Sequence, residues 1–325
     1  MANEKKRLLS GIQPSGILHL GNYFGAMKQF VELQNDYESY VFIANYHAMT
    51  TIKDPKLLLE NTIEVANINL SIGLDPEKVN LFKQSDVKSV CELTWILSTL
   101  TPMGLLERCH SFKDKIAKGI APDHGLFAYP VLMAADILIY KSDIVPVGKD
   151  QKQHVEVARD IAIKFNNLYG DVLRLPEPVI QSDTAIVPGI DGQKMSKSYD
   201  NAISPFDDEK TIKKQVMKIV TDAAPLEEPK NPDNSTIFAL YCLVSSKNEI
   251  EEMRKKFLSG GYGYGDAKKE LLDKILFYFK DIRKKYFELK NNRDYVVSVL
   301  KNGAEKANAT ALKTMKEVLK AIGIE

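Results

Sequence analysis

The 325-residue sequence predicts an α/β fold in which a parallel sheet is followed by a C-terminal helical domain. In the first half, apolar runs that can be strands alternate with helical patterns, which is typical of a parallel sheet covered on both faces. After residue 204 only helical patterns follow. With 44% hydrophobic residues, a chain of this length can bury a large core and form two domains.

The first predicted strand, around Leu8 and Leu9, ends in a turn that has the composition of a ligand-binding loop. The turn spans residues 11–23 and reads GIQPSGILHLGNY, and a helical pattern follows it. A strand, a tight turn and a helix start place backbone N–H groups where an α/β sheet binds phosphate. The turn contains neither the G-x-G-x-x-G of dinucleotide-binding folds nor the G-K-[ST] of a Walker A loop.

Further elements follow in order along the first half. Strands are predicted over residues 40–44, 80–83 and 143–147. Asp54-Pro55 predicts the start of a helix that runs to about residue 73. A helix over residues 87–100 contains Trp95, whose neighbours indicate a packed face. An amphipathic helix follows the strand at 143–147, with an apolar face of Val155, Ala158, Ile161, Ala162 and Phe165.

The segment 104–125 is rich in charge, with Lys113, Lys115 and Lys118 between Gly104 and Gly125. Two interpretations are open. One is a charged surface helix and loop. The other is an insertion that moves as a lid, with its lysines directed at phosphate.

One carboxylate, Asp136, lies inside the nearly apolar tract of residues 125–140, which we expect to be a core helix. Since an unpaired buried charge is costly, Asp136 needs a partner. It could be a structural residue bonded to backbone or to a Tyr hydroxyl. Alternatively, the partner arrives with a ligand, and the N–H of a flat apolar ring suits a single carboxylate among Met and aromatic side chains.

The second half predicts helices over residues 211–220 and 271–289 and a last helix starting at Gly303, with an exposed loop at 225–233. Lysines are frequent near residues 210–230, but basic helix faces usually serve solubility. Lys+Arg total 44 and Asp+Glu 43, which excludes capture of nucleic acid by a bulk charge field but not by a local basic patch.

The three cysteines lie far apart and predict reduced thiols. No apolar run reaches transmembrane length, and no secretory signal is recognisable at the start. We therefore expect a cytoplasmic protein without membrane association.

A loop at residues 192–198, GQKMSKS, carries two ammonium groups and two hydroxyls. Such a loop is often only a solvated surface. Together with P-S-G-x-x-H-L-G-N at residues 14–22, however, the pair resembles the KMSKS and HIGH signatures of class I aminoacyl-tRNA synthetases. The HIGH match departs only at Asn22, and Asn occurs there in the tryptophanyl-tRNA synthetase family. The helix around Met133-Ala-Ala-Asp136 also resembles that family's tryptophan-recognition helix, and G-Y-G-x and G-A-E-K-A stretches resemble its anticodon-reading domain.

The resemblance implies roles for individual residues. Catalysis would fall to His19, Lys115, Lys194, Ser196 and Lys197. ATP would be bound by Gln13, Pro14, Ser15, Gly21, Asn22, Gly148, Lys149, Asp150, Ile186, Lys194, Met195, Ser196, Lys197 and Ser198. Tryptophan would be bound by Asp136, Met133, Tyr129, His47 and Gln151. Lys149 replaces the family's usual Glu, which puts a ribose contact by that side chain in doubt, and Asn45-Tyr46 departs from the commoner residues before His47.

The resemblance further implies a Rossmann-like catalytic domain over residues 1–193, the KMSKS loop at 194–198 and a helical anticodon-binding domain over 199–325. The expected activity is ATP-dependent formation of tryptophanyl-adenylate and transfer to tRNA(Trp) by a homodimer. Mg²⁺ would be carried by the ATP phosphates, since no carboxylate cluster resembles a metal site. Three alternatives stay open: a tyrosyl-tRNA synthetase, a small-molecule nucleotidyltransferase and a non-catalytic tRNA-binding paralogue.

Overall fold

The computed structural model describes residues 5–14, 16, 18–109, 113, 119, 123–148, 152–180 and 187–325, with the side chains of Ile180 and Ser198 left out. Its strands form one five-stranded, all-parallel sheet in the order β3-β2-β1-β4-β5. The strands are β1 (Arg7–Ile12), β2 (Glu38–Ile43), β3 (Val79–Lys83), β4 (Ile144–Val147) and β5 (Glu177–Ile180). The first four were predicted. β5 was missed because it is short and includes Glu177 and Pro178, so it has no apolar run.

Helices connect and cover the strands. Those of the first half are α1 (Leu20–Asn22), a π-helical turn (Tyr23–Met27), α2 (Lys28–Leu33), α3 (Asn45–Ala48), α4 (Pro55–Ser71), α5 (Ser89–Ser98), α6 (Met103–Glu107), α7 (His124–Ile139) and α8 (Lys152–Tyr169). Those of the second half are α9 (Glu209–Met217), α10 (Thr236–Val244), α11 (Lys247–Ser259), α12 (Tyr264–Tyr278), α13 (Lys280–Lys290) and α14 (Arg293–Ile322).

The strand order places a reversal of direction between β1 and β4. The chain moves from β1 through β2 to β3 on one side, then crosses to β4 and β5 on the other. Loops at the carboxyl ends of β1 and β4 diverge at such a point and leave a crevice where ligands bind. The pairing register aligns the strand ends, with Ile12 opposite Ile43 and Ile43 opposite Lys83. Residues that follow these strands therefore meet at one edge of the sheet.

The start of α4 follows the chemistry that the sequence predicted. Asp54 accepts hydrogen bonds from Lys56 N and Leu57 N at 2.8 and 3.2 Å, and Pro55 occupies the first helical position of α4. The predicted apolar face of α8 is buried throughout, with Phe165 at its C-terminal end. The prediction for α5 was wrong at Trp95, which is 74% exposed, although its neighbour Leu97 is buried as expected. Leu97 packs on the same face as Val90 and Leu93.

The C-terminal helix α14 returns to the sheet. Three of its alanines, Ala304, Ala307 and Ala311, share one hydrophobic core with Leu9 and Tyr40 of the first strands, and Met315 belongs to the same core. Gly303 crosses β3 so closely that a Cβ there would lie 2.0 Å from Leu81 O. The prediction that a helix starts at Gly303 was wrong, since α14 starts at Arg293, where the Asn292 side chain accepts from Tyr295 N at 3.4 Å.

The tract predicted as one helix over residues 271–289 is divided between α12 and α13, with buried Phe279 at the junction. The predicted loop at 225–233 is anchored by Lys230, which is 3% exposed and donates to the carbonyls of Pro225, Leu226 and Glu228 at 3.0–3.2 Å. Cys91, Cys109 and Cys242 are free thiols. Within the described residues, no helix combines the length and apolar composition that a membrane span requires.

Candidate active site at the carboxyl edge of the sheet

A cavity of about 640 Å³ opens at the carboxyl edge of the sheet, where β1 and β4 diverge. Its wall combines the end of β1, the first helical turns and the ligand-facing side of α7. Polar groups in the wall are Gln13, Asn22, His47, Thr50, Thr51, Tyr129, Asp136 and His154; Gly148 and Met133 also line it. The cavity therefore joins the turn after β1 to the buried carboxylate of α7.

The turn after β1 is held in a fixed shape at the start of α1. His19 N donates to Asn22 Oδ1 at 3.0 Å, which satisfies one of the free N–H groups at this helix start. Leu20 N donates to Ile203 O at 2.9 Å, so the turn is also tied to the chain after the KMSKS loop. Gly21 leaves room for the imidazole, because a Cβ there would lie 3.0 Å from His19 Cε1.

His19 is partly buried, and this sets its charge state. Burial lowers the pKa of His19 below 6.5, and the positive charge of Lys197 lowers it further. Its buried Nδ1 has no hydrogen-bond partner among the described residues. At neutral pH the imidazole is therefore uncharged and can act as a hydrogen-bonding group toward a ligand.

The KMSKS loop packs against this same turn. The Lys197 ammonium occupies the space beside Gly16, where a Cβ would lie 2.3 Å from Nζ, and Gly16 adopts a positive φ of 95°. Met195 is 3% exposed, and a Cβ built on Gly21 would lie 3.5 Å from the Cβ of Met195. Lys194 is exposed and pairs with Pro188 in an antiparallel bridge. The structure thus brings together the two motifs, which lie about 180 residues apart in sequence.

Asp136 lies at the other end of the cavity and is 1% exposed. The sequence left open whether its partner would be structural or would arrive with a ligand. The structure provides two protein partners: Asp136 Oδ2 lies 3.0 Å from His47 Nε2, and Gln84 Nε2 donates to Oδ1 and Oδ2 at 3.0 and 2.8 Å. Burial raises the pKa of Asp136, while the hydrogen bond and charge of His47 and the hydrogen bonds of Gln84 oppose the rise.

Gln84 is itself fixed by backbone. It follows β3 directly, and its Oε1 accepts from Tyr46 N and His47 N at 3.0 and 3.4 Å. One amide group therefore links the end of β3, the start of α3 and the carboxylate of α7. Sequence reasoning missed Gln84, although a polar residue directly after a buried parallel strand was a signal that could have found it.

His154 is a second residue that sequence reasoning missed. It is 5% exposed in the first turn of α8, and its Nε2 lies 3.0 Å from the hydroxyl of Tyr129. Tyr129 also packs edge-on against His47, with ring centroids 6.1 Å apart. This end of the cavity is therefore lined, beside the carboxylate, by the rings of Tyr129 and the two histidines and by the apolar side chain of Met133.

Seven of the residues that were assigned from the resemblance line this cavity. Gln13, Asn22, His47, Tyr129, Met133, Asp136 and Gly148 line it, while His19, Gly21, Met195 and Lys197 lie at the adjoining turn and loop. Ser15, Lys115, Lys149, Asp150, Gln151 and Ile186, and the side chain of Ser198, lie outside the described residues. The individual roles of all these residues stay predictions.

Comparison with known proteins agrees with this arrangement. The family model for class I tRNA synthetases (W and Y) matches residues 1–280. A tryptophan–tRNA ligase of Fusobacterium nucleatum subsp. nucleatum is 58% identical over 320 residues, covering 98% of each chain.

Solved structures agree as well. The crystal structure of tryptophanyl-tRNA synthetase from Campylobacter jejuni complexed with ADP and tryptophan matches with a TM-score of 0.95 and 51% identity, covering 98% of this chain and 99% of that one. The enzyme from Mycoplasma pneumoniae matches with a TM-score of 0.80 and 30% identity, covering 99% and 98%. The chain belongs to the tryptophan–tRNA ligases, a branch of the class I tRNA synthetases.

Proposed function

We propose that the chain activates L-tryptophan with ATP to give tryptophanyl-adenylate and transfers the tryptophanyl group to tRNA(Trp). The observation that carries this proposal is a cavity that extends from the HIGH-like turn to the Asp136 carboxylate, with the KMSKS loop packed against that same turn. A nucleotide and an aromatic amino acid in such a cavity would have their reacting groups side by side.

ATP would lie over the turn after β1. Gln13, Pro14, Ser15, His19, Gly21 and Asn22 would contact the nucleotide, and so would Gly148, Lys149, Asp150 and Ile186. Because His19 is uncharged, it can donate a hydrogen bond to the nucleotide, while the positive charge near the phosphates comes from Lys197. Lys194, Ser196, Lys197 and Ser198 would follow the pyrophosphate, and Lys115 would reach the phosphates from the 104–125 insertion.

Tryptophan would lie at the α7 end, and its indole N–H would donate to Asp136. Met133, Tyr129 and His47 would surround the ring, and Gln151 would approach the amino-acid backbone. Gln84 already donates to both oxygens of the carboxylate, so the carboxylate is held in place before the ligand binds. A fixed acceptor discriminates by geometry between an N–H donor and a ring that lacks one.

The reaction needs no protein nucleophile. A carboxylate oxygen of tryptophan attacks the α-phosphorus of ATP, and the bond to the pyrophosphate oxygen breaks. The loop lysines would stabilise the negative charge of the leaving pyrophosphate. The terminal ribose hydroxyl of the tRNA then attacks the adenylate carbonyl, and AMP leaves. The protein contributes positioning and stabilisation of charge. Among described residues, no group of three or more His, Cys, Asp or Glu side chains could hold a metal ion. Magnesium would enter the site with the substrate, as MgATP.

The tRNA would be read by the helices of residues 199–325, which carry exposed lysines on α9. We place the reaction in the cytoplasm because ATP and tRNA are both available there.

A homodimer would cover the apolar side chains that α5 and α6 leave exposed. Trp95 is 74% and Met103 64% exposed, and Leu168 of α8 is 58% exposed. Lys164 Nζ donates to Leu100 O at 2.6 Å, which holds α8 beside the end of α5. Sedimentation of the wild-type protein and of Trp95→Glu tests this: a dimer that the variant converts to monomer is expected, and a wild-type monomer contradicts it.

Pyrophosphate exchange into ATP, measured with each of the twenty amino acids, tests the activity. Exchange that depends on tryptophan, followed by charging of tRNA(Trp), is the expected result. Exchange that depends on tyrosine would instead indicate a tyrosyl-tRNA synthetase. Exchange with neither amino acid, together with tRNA binding, would indicate a non-catalytic paralogue.

A further inference from the structure

The KMSKS loop is held by a side chain that does not belong to its motif. The chain from Val187 to Lys194 folds back on itself: Met195 N donates to Val187 O at 2.9 Å and Gly189 N to Gln193 O at 2.7 Å. Gly192, with a φ of 80°, lies at the tip of this turn. Asn201, which is 2% exposed, follows the KMSKS loop and packs against the turn of residues 187–194.

The Asn201 side-chain amide forms hydrogen bonds through both its oxygen and its nitrogen. Its Oδ1 accepts from Ser196 N at 2.8 Å, and its Nδ2 donates to Lys194 O at 3.2 Å and to Asp191 Oδ1 at 2.8 Å. Asp191 Oδ1 also accepts from Gln193 N at 3.0 Å. The two bonds from Asn201 to the loop backbone thus end at Lys194 and Ser196, and the latter directly precedes Lys197.

The fit between Asn201 and the turn leaves no spare volume. A Cβ on Gly189 would lie 2.4 Å from Asn201 Cγ and 2.7 Å from Asn201 O. Asn201 O in addition accepts from Ile190 N at 2.9 Å. This close approach is possible only at glycine, so the turn is shaped around the asparagine.

We propose that Asn201, oriented by Asp191, is a positioning residue that sets where the Lys194 and Lys197 ammonium groups lie during adenylate formation. It acts through the loop backbone and touches no substrate. The inference rests on the proposed function for its kinetic effect, while the constraint on the loop itself can be measured without activity. Because a displacement of about 1 Å in a positioned group can cost about 10²-fold in rate, a single amide is sufficient for this role.

The kinetic test exchanges the two side chains. Asn201→Asp keeps the acceptor for Ser196 N but places a second carboxylate against Asp191. In the double variant Asp191→Asn, Asn201→Asp, the amide of residue 191 can donate to the new carboxylate and still accept from Gln193 N. We expect Asn201→Asp to lower the rate of tryptophan-dependent pyrophosphate exchange about 10- to 100-fold. The double variant should recover part of the rate, because it restores the contact between residues 191 and 201 but not the bond to Lys194 O. The dissociation constant for tryptophan should not change in either variant.

Asn231→Ala is the matched control, because Asn231 also accepts a backbone N–H in a loop, from Asp233 N at 2.9 Å, but lies outside the site. It should exchange at the wild-type rate. An Asn201→Asp variant with wild-type exchange, or a double variant no faster than Asn201→Asp alone, overturns the proposal.

Hydrogen exchange of the peptide spanning residues 190–200 separates this inference from the proposed function. In Asn201→Ala the amide of Ser196 loses its acceptor, so this peptide should exchange faster than in the wild type, while Asn231→Ala should leave it unchanged. If the wild type activates no amino acid but this difference is found, the constraint stands and only the proposed function fails. If exchange is equal in Asn201→Ala and the wild type, the inference is wrong whatever the activity.

Discussion

At the scale of single residues, Asp136 is a buried carboxylate whose protein partners are already in place. Gln84 and His47 bond to it, and Gln84 is in turn fixed by the backbone of α3. A buried charge with partners differs from an unpaired one, because deleting it leaves donors without acceptors. Removal of the Asp136 side chain is therefore expected to weaken the fold, whereas removal of an unpaired charge would strengthen it.

The first prediction separates shape from charge at this position. Asp136→Ala should destabilise the protein by about 1–3 kcal/mol, since the amide of Gln84 and the imidazole of His47 lose their acceptor. Asp136→Asn keeps the shape and one acceptor oxygen, so it should unfold closer to the wild type. Both variants should lose discrimination between tryptophan and tyrosine, up to about 10⁴-fold. Thermal unfolding and pyrophosphate exchange with each amino acid measure the two effects.

Asp143→Asn is the matched control for this pair. Asp143 accepts from Arg7 N at 2.7 Å and pairs with Arg174 at 3.1 Å, at the edge of the sheet opposite the cavity. It should lower stability without changing the preference for tryptophan. Unchanged discrimination in Asp136→Ala would make Asp136 a purely structural residue.

The second prediction concerns His19 and pH. Burial and the charge of Lys197 lower the pKa of His19 in the folded protein, so below pH 6.5 the unfolded chain binds a proton that the folded protein does not. The free energy of unfolding should therefore fall as the pH drops below 6.5 toward the lowered pKa. Well above pH 6.5, His19 is uncharged in both the folded and the unfolded state, so its titration lowers the free energy of unfolding no further.

His19→Asn removes the titrating group and should flatten this part of the profile. Denaturant unfolding at several pH values between about 7.5 and 5 measures the slope. A His19→Asn variant with the same slope as the wild type would mean that His19 titrates alike in both states.

At the scale of elements, the KMSKS loop and α14 each meet another part of the chain through a glycine. Gly16 accommodates the Lys197 ammonium, and Gly303 accommodates the backbone of β3. At Gly303 the neighbouring backbone leaves no room for a methyl group, and at Gly16 the positive φ of 95° favours glycine. Each of these two contacts therefore depends on glycine at that position.

The third prediction addresses the loop. Lys194→Ala and Lys197→Ala should each slow pyrophosphate exchange about 10²–10³-fold, because each removes a positive charge that stabilises the leaving pyrophosphate in the wild type. The affinity for tryptophan should stay near the wild-type value. Lys313→Ala, an exposed lysine on α14, provides the control for loss of one charge. Wild-type rates in both loop variants would refute the assignment of the loop.

The fourth prediction addresses α14. In an exposed helix, Gly→Ala usually stabilises by up to about 1 kcal/mol. At Gly303 the new Cβ would meet Leu81 O, so Gly303→Ala should destabilise by about 1–3 kcal/mol, as overpacking does. Gly265→Ala in α12, where a Cβ meets nothing within 4 Å, should be neutral or stabilising. Urea unfolding of both variants measures the contrast, and equal effects would contradict the packing of α14 on β3.

At the scale of the whole molecule, the end of the chain completes the core of its beginning. Ala304, Ala307, Ala311 and Met315 of α14 are buried in the same cluster as Tyr40. The hydroxyl of Tyr40 also lies 2.9 Å from Thr310 Oγ1. The sheet therefore depends on residues that lie more than 250 positions later in the sequence.

The fifth prediction follows from this closure. A fragment of residues 1–203 should fail to unfold cooperatively and should aggregate, since the surface that α14 covers is exposed. A fragment of residues 1–323, which loses only the last two residues, should behave like the full chain. Circular dichroism, gel filtration and pyrophosphate exchange compare the two. A monomeric 1–203 fragment that activates tryptophan would show that the sheet folds independently.

The sequence by itself determined the local elements and the chemistry of the motifs. The alternation of apolar runs and helical patterns predicted β1 to β4, and Asp54-Pro55 predicted the start of α4, because periodicity and capping act over a few residues. The motifs around His19 and Lys197, and the carboxylate of Asp136, were recognised for the same reason: each is a short run of particular side chains.

Tertiary structure alone decided which distant residues meet. Gln84 and Asn201 carry no motif, yet each satisfies several polar groups at once, and that role exists only after strands and loops are brought together. The path of α14 could not be predicted either, since Gly303 is an ordinary helix residue until β3 lies against it. Trp95 was misplaced because helical spacing defines a face but not which face is covered.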